Sequence, residues 1–270
     1  MRNLVFRCLS CVAPLVIFAV SPATVGAPDW SMALEGEHRK EGNAGRNAFR
    51  HPRETLEFFG FREDMTVVEL SPGGGWYTEV LAPLLHERGQ YYAAHYGVNG
   101  RSYYRRALGN YLRKLGENDD VYGRVTITTL GGDSSSIAPA GSADLVLAFR
   151  NIHSWLGSDS LPQTMEQAFD ALKPGGVLGV VQHRAKDGRD LEKMKSTGYV
   201  TEQAVIDAAA QAGFVLDARS EINANPKDKG DYEGGVWELP PSLRGDESTR
   251  DERIAVGESD RMTLRFVKPE

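Results

Sequence analysis

The chain has 270 residues, of which 41% are hydrophobic and 25% are charged, and its formal net charge at pH 7 is −6. Length and composition fit one globular domain of α/β size with extensions. The acidic balance argues against a general nucleic-acid binder, so no nucleic-acid partner is expected. The one basic stretch, residues 101–114, is better explained as the solvated face of a helix.

Residues 1–27 have the pattern of a signal peptide. Arg2 and Arg7 are followed by the apolar run 11–20 and then by the small residues of "SPATVGA". The run is shorter than the ~20 residues that a membrane-spanning helix needs. We therefore expect cleavage, export to a periplasmic or secreted location, and no membrane attachment afterwards. An uncleaved anchor is the alternative.

Cysteine and histidine usage excludes several kinds of site. Both cysteines, Cys8 and Cys11, fall inside the expected signal peptide, so the remaining chain has no thiol for a disulfide, a nucleophile or a metal. The histidines are scattered and no H-x-x-x-H spacing occurs. No metal site is predicted.

A polar N-terminal lead is expected over residues 28–62, before the main domain. Its clearest element is a helix that begins at Pro52 and stops at Gly60, with an apolar face formed by Leu56, Phe58 and Phe59. The main domain is expected over residues 63–270.

Strand-like and helix-like segments alternate through that domain. Strands are predicted at 65–70, 89–97, 124–130, 143–150, 177–183, 215–222 and 261–269. Alternation with helices predicts an α/β fold, a Rossmann-like, doubly wound and mostly parallel seven-stranded sheet. The last two strands have no helix between them, which favours an antiparallel C-terminal strand. The long intervening segment, 221–260, is interpreted as an irregular insertion or flap.

The stretch "VVELSPGGGWYTEV", residues 67–80, places a glycine-rich loop between the first strand and a helix. Three ligand or catalytic motifs fail here. A dinucleotide fingerprint needs a third glycine where Thr78 stands, and an acid after the second strand where "AAHYG" offers His95. A phosphate loop needs a lysine that is missing. A hydrolase nucleophile elbow fails because Ser71 precedes the glycines.

The loop instead resembles the E-x-G-x-G-x-G motif of class I S-adenosylmethionine-dependent methyltransferases. Residues 69–75 carry the match, with Ser71 in place of the first glycine. The Gly-Asp of residues 132–133 and "LKPGG" before the fifth strand extend it over about 155 residues, 63 to 217. "FRHPRETLEFFGF", "FRNIHSW" and "DRMTLRFVKP" are similar to a family of predicted secreted methyltransferases of unassigned substrate.

The resemblance implies S-adenosylmethionine as the cofactor. In such a site the strand-end carboxylate, Glu69, organises the amino group, and glycine backbone lies against the methionine part. Asp133 takes the adenine amine, and the ribose is left to His95, Asn99 or backbone because no acid follows the second strand. The expected cofactor-binding residues are Glu69, Ser71, Gly73, Gly75, Trp76, Tyr77, His95, Asp133, Ser134 and Arg150.

Several of these residues have a second interpretation. Trp76 and Tyr77 either wall the cofactor or pack as core. Arg150, at the end of the fourth strand, either binds an anionic group of the substrate or pairs with a nearby acid. The substrate and the oligomeric state are not predicted.

Three residues at the ends of the fourth and fifth strands are candidates for catalysis. His153 is the first candidate for a base, unless it is a structural histidine bonded to the backbone. Asn151 either orients the substrate or caps a turn, and His183 ends the fifth strand on the same sheet edge.

The expected activity is methyl transfer to an unidentified small molecule or exported macromolecule. The alternative is a catalytically inactive, exported ligand-binding or structural module on the same fold. Export away from the cofactor's source and the missing ribose acid favour that alternative, and fold alone does not fix function.

Overall fold

The computed structural model describes residues 28–99, 101–132 and 136–270. The expected signal peptide, and with it Cys8 and Cys11, therefore lies outside the described residues, as do Asp133 and Ser134. Within the described ranges, no helix is both long enough and apolar enough to cross a membrane.

One seven-stranded sheet organises the domain, and it confirms the predicted fold class. Its strands are β1 (Thr66–Leu70), β2 (Gln90–Tyr96), β3 (Val125–Leu130), β4 (Ala143–Phe149), β5 (Leu172–His183), β6 (Val215–Ser220) and β7 (Arg261–Val267). They lie in the order β3-β2-β1-β4-β5-β7-β6. Strands β1 to β5 are mutually parallel, and β7 runs antiparallel to both of its neighbours, β5 and β6.

Burial along the strands follows their position in the sheet. In the central strands β1 and β4 all residues are buried except Thr66 and Asp144, as expected where helices cover both faces of a parallel sheet. The edge strands β3 and β6 contain no fully buried residue. The central strands therefore lie in the interior of the domain, and their carboxyl ends lie at the same edge of the sheet.

Helices pack on both faces of the sheet. They are α1 (Trp30–Glu35), α2 (Asn47–Arg50), α3 (Pro52–Phe58), α4 (Thr78–Leu85), α5 (Ser102–Gly116), α6 (Asp119–Tyr122), α7 (Ile152–Gly157), α8 (Leu161–Ala171), α9 (Leu191–Thr197), α10 (Glu202–Gln211) and α11 (Arg250–Val256). The two faces carry separate hydrophobic clusters. Leu56 and Leu81 belong to one and Met165 and Val205 to the other.

The N-terminal lead is attached through one buried carboxylate on α4. Glu79 accepts hydrogen bonds from Nε of Arg39 at 2.9 Å and from the amide of Asn43 at 2.9 Å, and Lys114 of α5 also pairs with it. The side chains of Arg39 and Glu79 are 2% and 0% exposed. Because a buried charge without a partner is costly, this pairing fixes the lead against the domain.

The segment 221–260 contains more regular structure than the predicted irregular insertion. It includes the 3-10 helices Gly235–Glu238 and Glu247–Thr249 and the helix α11. Asn223 connects the start of this segment to α3 and β7. The Asn223 amide donates to Thr55 Oγ1 at 2.9 Å and to Thr263 Oγ1 at 3.0 Å.

Candidate functional site

A cavity of about 590 Å³ lies at the carboxyl edge of the central strands. The strand ends and the loops after them contribute the first part of its lining, including Glu69, Gly73, Gly74, Phe149, Arg150, Asn151, His153 and His183. The lead contributes Lys40, Asn43, Arg46 and Arg50, and the segment 221–260 contributes Trp237, Pro240, Glu258 and Ser259. In parallel α/β sheets this edge is where ligands bind.

The glycine loop needs left-handed backbone at three of its residues. The φ angles of Ser71, Gly73 and Gly75 are 50°, 60° and 77°. A Cβ on Gly75 would lie 3.1 Å from the Tyr111 ring, so this glycine permits close packing on α5. Gly73 and Gly74, in contrast, border the cavity. A Cβ on Gly73 would meet only a backbone oxygen at 4.0 Å, and one on Gly74 would meet nothing within 4 Å.

Two predicted site residues hold this loop in place from beneath. His95 is fully buried. Its Nδ1 accepts from the Tyr96 amide at 2.8 Å, so Nε2 carries the proton and donates to the Gly73 carbonyl at 3.2 Å. The Asn151 amide donates to the carbonyls of Leu70 and Ser71 at 3.1 and 3.2 Å. Both residues thus position the loop, and the Asn151 side chain does not cap α7.

Glu69 lines the cavity, and the pKa of its carboxyl group is raised. It is buried and accepts from the hydroxyls of Tyr91 and, at 3.4 Å, Thr78. Burial raises its pKa to about 7, and these hydrogen bonds only partly oppose the increase. A cation bound beside Glu69 would therefore favour the ionised carboxylate near neutral pH.

Trp76 and Tyr77 line the cavity and are also core residues. The Tyr77 ring stacks on Phe149 with centroids 3.5 Å apart and planes 3° apart. The guanidinium carbons of Arg39 and Arg50 lie 5.0 and 4.5 Å from the Trp76 ring centroid. The packing interpretation of this aromatic pair is therefore confirmed, and the contact with the cofactor stays a prediction that the position of both residues in the cavity lining supports.

The hydrogen bonds of Gln182 assign a tautomer to His153. Its side-chain oxygen accepts from the Ile152 amide at 3.2 Å, and its nitrogen donates to the Gly198 carbonyl at 2.8 Å. The same nitrogen faces His153 Nδ1 at 3.2 Å, so Nδ1 accepts and Nε2 carries the proton. Burial lowers the pKa of His153 to about 4, so it is neutral at pH 7. Because Gln182 occupies the lone pair of Nδ1, the remaining nitrogen, Nε2, is a hydrogen-bond donor rather than the expected base.

His183 has a different partner. Its Nδ1 lies 2.5 Å from the Ser259 hydroxyl, which can either donate or accept. His183 can therefore carry its proton on Nδ1 and leave the lone pair of Nε2 free. Burial, followed by the nearby His153 and Arg150, lowers the pKa of His183 well below its usual value. Of the two histidines, this one can accept a proton.

Arg150 is held in a left-handed conformation with φ 63°, and its amide donates to the Val181 carbonyl at 2.7 Å. Burial lowers its pKa to about 10. Within the described part of the chain its guanidinium forms neither a hydrogen bond nor an ion pair, although the charge of Glu258 acts on it. The acid pairing considered from sequence is therefore not a direct contact.

Sequence reasoning missed a group of charged residues beside Arg150. Arg46, Arg50 and Arg261 all pair with Glu258, with the closest nitrogen–oxygen distances at 2.7, 3.1 and 3.3 Å. We call these three arginines and Arg150 the arginine cluster. The sequence did offer a signal, because Arg50 and Arg261 fall in "FRHPRETLEFFGF" and "DRMTLRFVKP", two of the stretches that carry the family resemblance, and Arg46 lies four residues before Arg50.

Other features of the described residues do not compete with this cavity. They contain no group of three or more His, Cys, Asp or Glu side chains that could hold a metal ion. A second depression of about 530 Å³ lies beside Arg184. The guanidinium there is already paired with Glu202, Glu221 and Asp260.

Neither models of known protein families nor curated protein sequences give a match to the chain. Solved structures do match. An S-adenosylmethionine-dependent methyltransferase from Aquifex aeolicus aligns with a TM-score of 0.51 and 21% identity over 66% of this chain and 87% of its own. The S-adenosylmethionine-dependent methyltransferase SibL aligns with a TM-score of 0.52 and 15% identity over 84% of this chain and 56% of its own.

The [4+2]-cyclase SpnF aligns with a TM-score of 0.54 and 16% identity over 82% of this chain and 81% of its own. The fold is the Rossmann-like methyltransferase fold. These likenesses, at identities of 21% or less, establish architecture alone. SpnF is described as a cyclase, so the residues of the cavity have to carry the functional argument.

Proposed function

We propose that this protein binds S-adenosylmethionine in the cavity and transfers its methyl group to a small molecule or an exported macromolecule. The observation that carries the proposal is that Glu69, Gly73 and Gly74 line the same cavity. The buried carboxyl suits an ammonium group, and the two glycines leave space where side chains would otherwise project. The sheet order, shared with methyltransferases of known structure, supports the same conclusion.

When bound, S-adenosylmethionine supplies an electrophilic methyl group on a sulfonium centre. The contribution of the chain is mainly to position and enclose the reacting groups. Glu69 would hold the cofactor's amino group, and Trp76 and Tyr77 would line one side of its binding site. His183 is the group available to take a proton from an acceptor that carries one, and His153 donates a hydrogen bond through Nε2.

We also propose that residues 1–27 direct export and are removed. Arg2, Arg7 and the apolar run 11–20 support this proposal, as does the absence of cysteine from residues 28–270. The similarity to predicted secreted methyltransferases, carried by "FRHPRETLEFFGF" and "FRNIHSW", agrees with it. N-terminal sequencing of the protein recovered from outside the cytoplasm tests it, and an intact Met1 in that material would contradict cleavage.

Calorimetric titration with S-adenosylmethionine, and separately with S-adenosylhomocysteine, tests the main proposal. We expect a dissociation constant in the micromolar range; a value of 1 μM corresponds to a standard free energy of binding of roughly −8 kcal/mol. If cooperatively folded protein binds neither compound up to millimolar concentration, methyl transfer is excluded. An exported ligand-binding module would then be the function to pursue.

A further inference from the structure

The arginine cluster carries more positive charge than the protein itself neutralises. Its four guanidiniums surround a single carboxylate, that of Glu258. The side chains of Arg50, Arg261 and Glu258 are 1%, 3% and 4% exposed, so water screens them little. Counted against Glu258, an excess of three positive charges remains in a largely buried place, and Glu69, on which the charge of Arg150 also acts, offsets at most one of them.

The cluster also contains donors with no acceptor. Nη1 and Nη2 of Arg50 and Nη2 of Arg46 are buried and have no hydrogen-bond partner among the described residues. Buried donors are rarely left in this state, and each one is costly. The Trp76 ring, 4.5 Å from the Arg50 guanidinium carbon, offsets part of the charge through its face but supplies no oxygen acceptor. Arg46, Arg50 and Arg150 all border the cavity.

These observations point to an oxyanion as the missing partner. Guanidinium groups match phosphate and carboxylate oxygens in geometry and charge, often through two parallel hydrogen bonds. Building on the function proposed above, we propose that the arginine cluster binds an anionic group, a phosphate or carboxylate, of the methyl acceptor. The substrate class is then that of anionic molecules.

The carboxylate of the cofactor does not remove the excess charge. S-adenosylmethionine has one carboxylate, but its ammonium and sulfonium groups are both positive, and Glu69 balances only one of them. The cluster also reaches His183 through Ser259, which lines the cavity. The Ser259 carbonyl accepts from Arg261 Nε at 3.1 Å, while the Ser259 hydroxyl contacts His183. An anion held here would lie beside the candidate base.

Titration with inorganic phosphate, monitored by calorimetry, tests the proposal with the protein alone and with the protein saturated with S-adenosylhomocysteine. We expect phosphate to bind in both states, and acetate, as a single carboxylate, to bind more weakly. If S-adenosylhomocysteine displaces phosphate, the arginines serve the cofactor's own carboxylate and the proposal fails. If phosphate binds in neither state, the proposal also fails. Phosphate binding without any S-adenosylhomocysteine binding would instead overturn the proposed function and leave the anion site.

Matched variants identify the residues responsible. Arg46→Gln changes a side chain that is 23% exposed, and Arg150→Gln breaks no hydrogen bond or ion pair among the described residues, so both are expected to fold. Each should weaken phosphate binding at least tenfold. Arg53→Gln is the control, because Arg53 is 53% exposed, lies outside the cavity lining, and contacts exposed Glu57 and the Trp30 ring. Equal phosphate affinity in all three folded variants would overturn the assignment.

Discussion

Arg50 and Glu258 are separated by 208 residues in sequence, yet the Arg50 Nε lies 3.1 Å from a Glu258 carboxylate oxygen, and both side chains are buried. This ion pair joins the N-terminal lead to the segment before β7 across the top of the sheet. Arg50 lies in "FRHPRETLEFFGF", whereas Glu258 lies in none of the stretches that carry the family resemblance. The pair borders the cavity that we assign to cofactor and acceptor. The contact that joins the N-terminal lead to the segment before β7 therefore also forms part of the cavity lining.

Glu258 should be essential for stability. Burial alone would raise its pKa, but the charges of Arg50, Arg261, Arg150 and Arg46 lower it to about 2. Glu258→Gln leaves those charges uncompensated, and we expect a loss of about 3–5 kcal/mol in the free energy of unfolding, measured with denaturant. Glu57→Gln, at an exposed pair, is the control and should change it by less than about 0.5 kcal/mol. A loss below about 1 kcal/mol for Glu258→Gln would contradict this account.

The same carboxylate predicts the acid sensitivity of the fold. Because its pKa is about 2 when folded and near 4.5 when unfolded, its stabilising contribution is complete above pH 4.5. That contribution is lost as the pH falls from 4.5 towards 2. The difference in unfolding free energy between the wild-type protein and Glu258→Gln should shrink over that interval. A difference that stays constant with pH would show that Glu258 does not titrate in this way.

Gly74→Val should abolish cofactor binding without unfolding the protein. Gly74 has no positive φ, and a Cβ there meets nothing within 4 Å, so the valine enters the cavity without backbone strain. Gly73→Val is a poorer test because Gly73 has φ 60°, where a side chain is strained in any case. Gly109→Val, on the exposed face of α5, is the control. Unchanged S-adenosylhomocysteine affinity in folded Gly74→Val protein would move the cofactor elsewhere.

Cofactor affinity should depend on the protonation of Glu69. Its pKa of about 7 in the ligand-free protein means that an ammonium group must displace a proton at lower pH. We expect S-adenosylhomocysteine to bind about tenfold more weakly at pH 6 than at pH 8. Glu69→Gln should bind more weakly at both values and lose the pH dependence. An identical pH profile in the variant would assign the proton to another group.

His153 should remain neutral with its proton on Nε2 down to a pH of about 4. Two-bond proton–nitrogen correlation spectra of the labelled protein report the tautomer directly. His86, which is partly exposed and outside the cavity, serves as the internal comparison. Gln182→Met should release the tautomer preference because it removes the donor to Nδ1. A proton found on Nδ1 in the wild-type protein would reinstate His153 as the base.

Much of the architecture follows from local sequence patterns. The alternation of apolar strands and amphipathic helices predicted six of the seven strands to within about two residues at each end, because periodicity reflects which face of each element is buried. The start of β5 was predicted wrongly, since the strand begins at Leu172 and includes the "LKPGG" segment that was expected to precede it. The antiparallel β7 was also predicted, but its premise was wrong, because the helix α11 does lie between β6 and β7. The glycine loop was located by the same local reasoning, since sharp turns need glycine at particular positions.

Only the tertiary structure decided what each site residue does. Gly75 packs on α5 while Gly74 borders the cavity, a distinction that depends on contact with Tyr111, which is more than thirty residues away in sequence. His153 became a donor because Gln182 is fixed by two other backbone groups. The arginine cluster draws on the lead, the end of β4 and the start of β7. Its charge excess exists only when these parts meet, because electrostatic energy depends on distance in space and burial rather than on position along the chain.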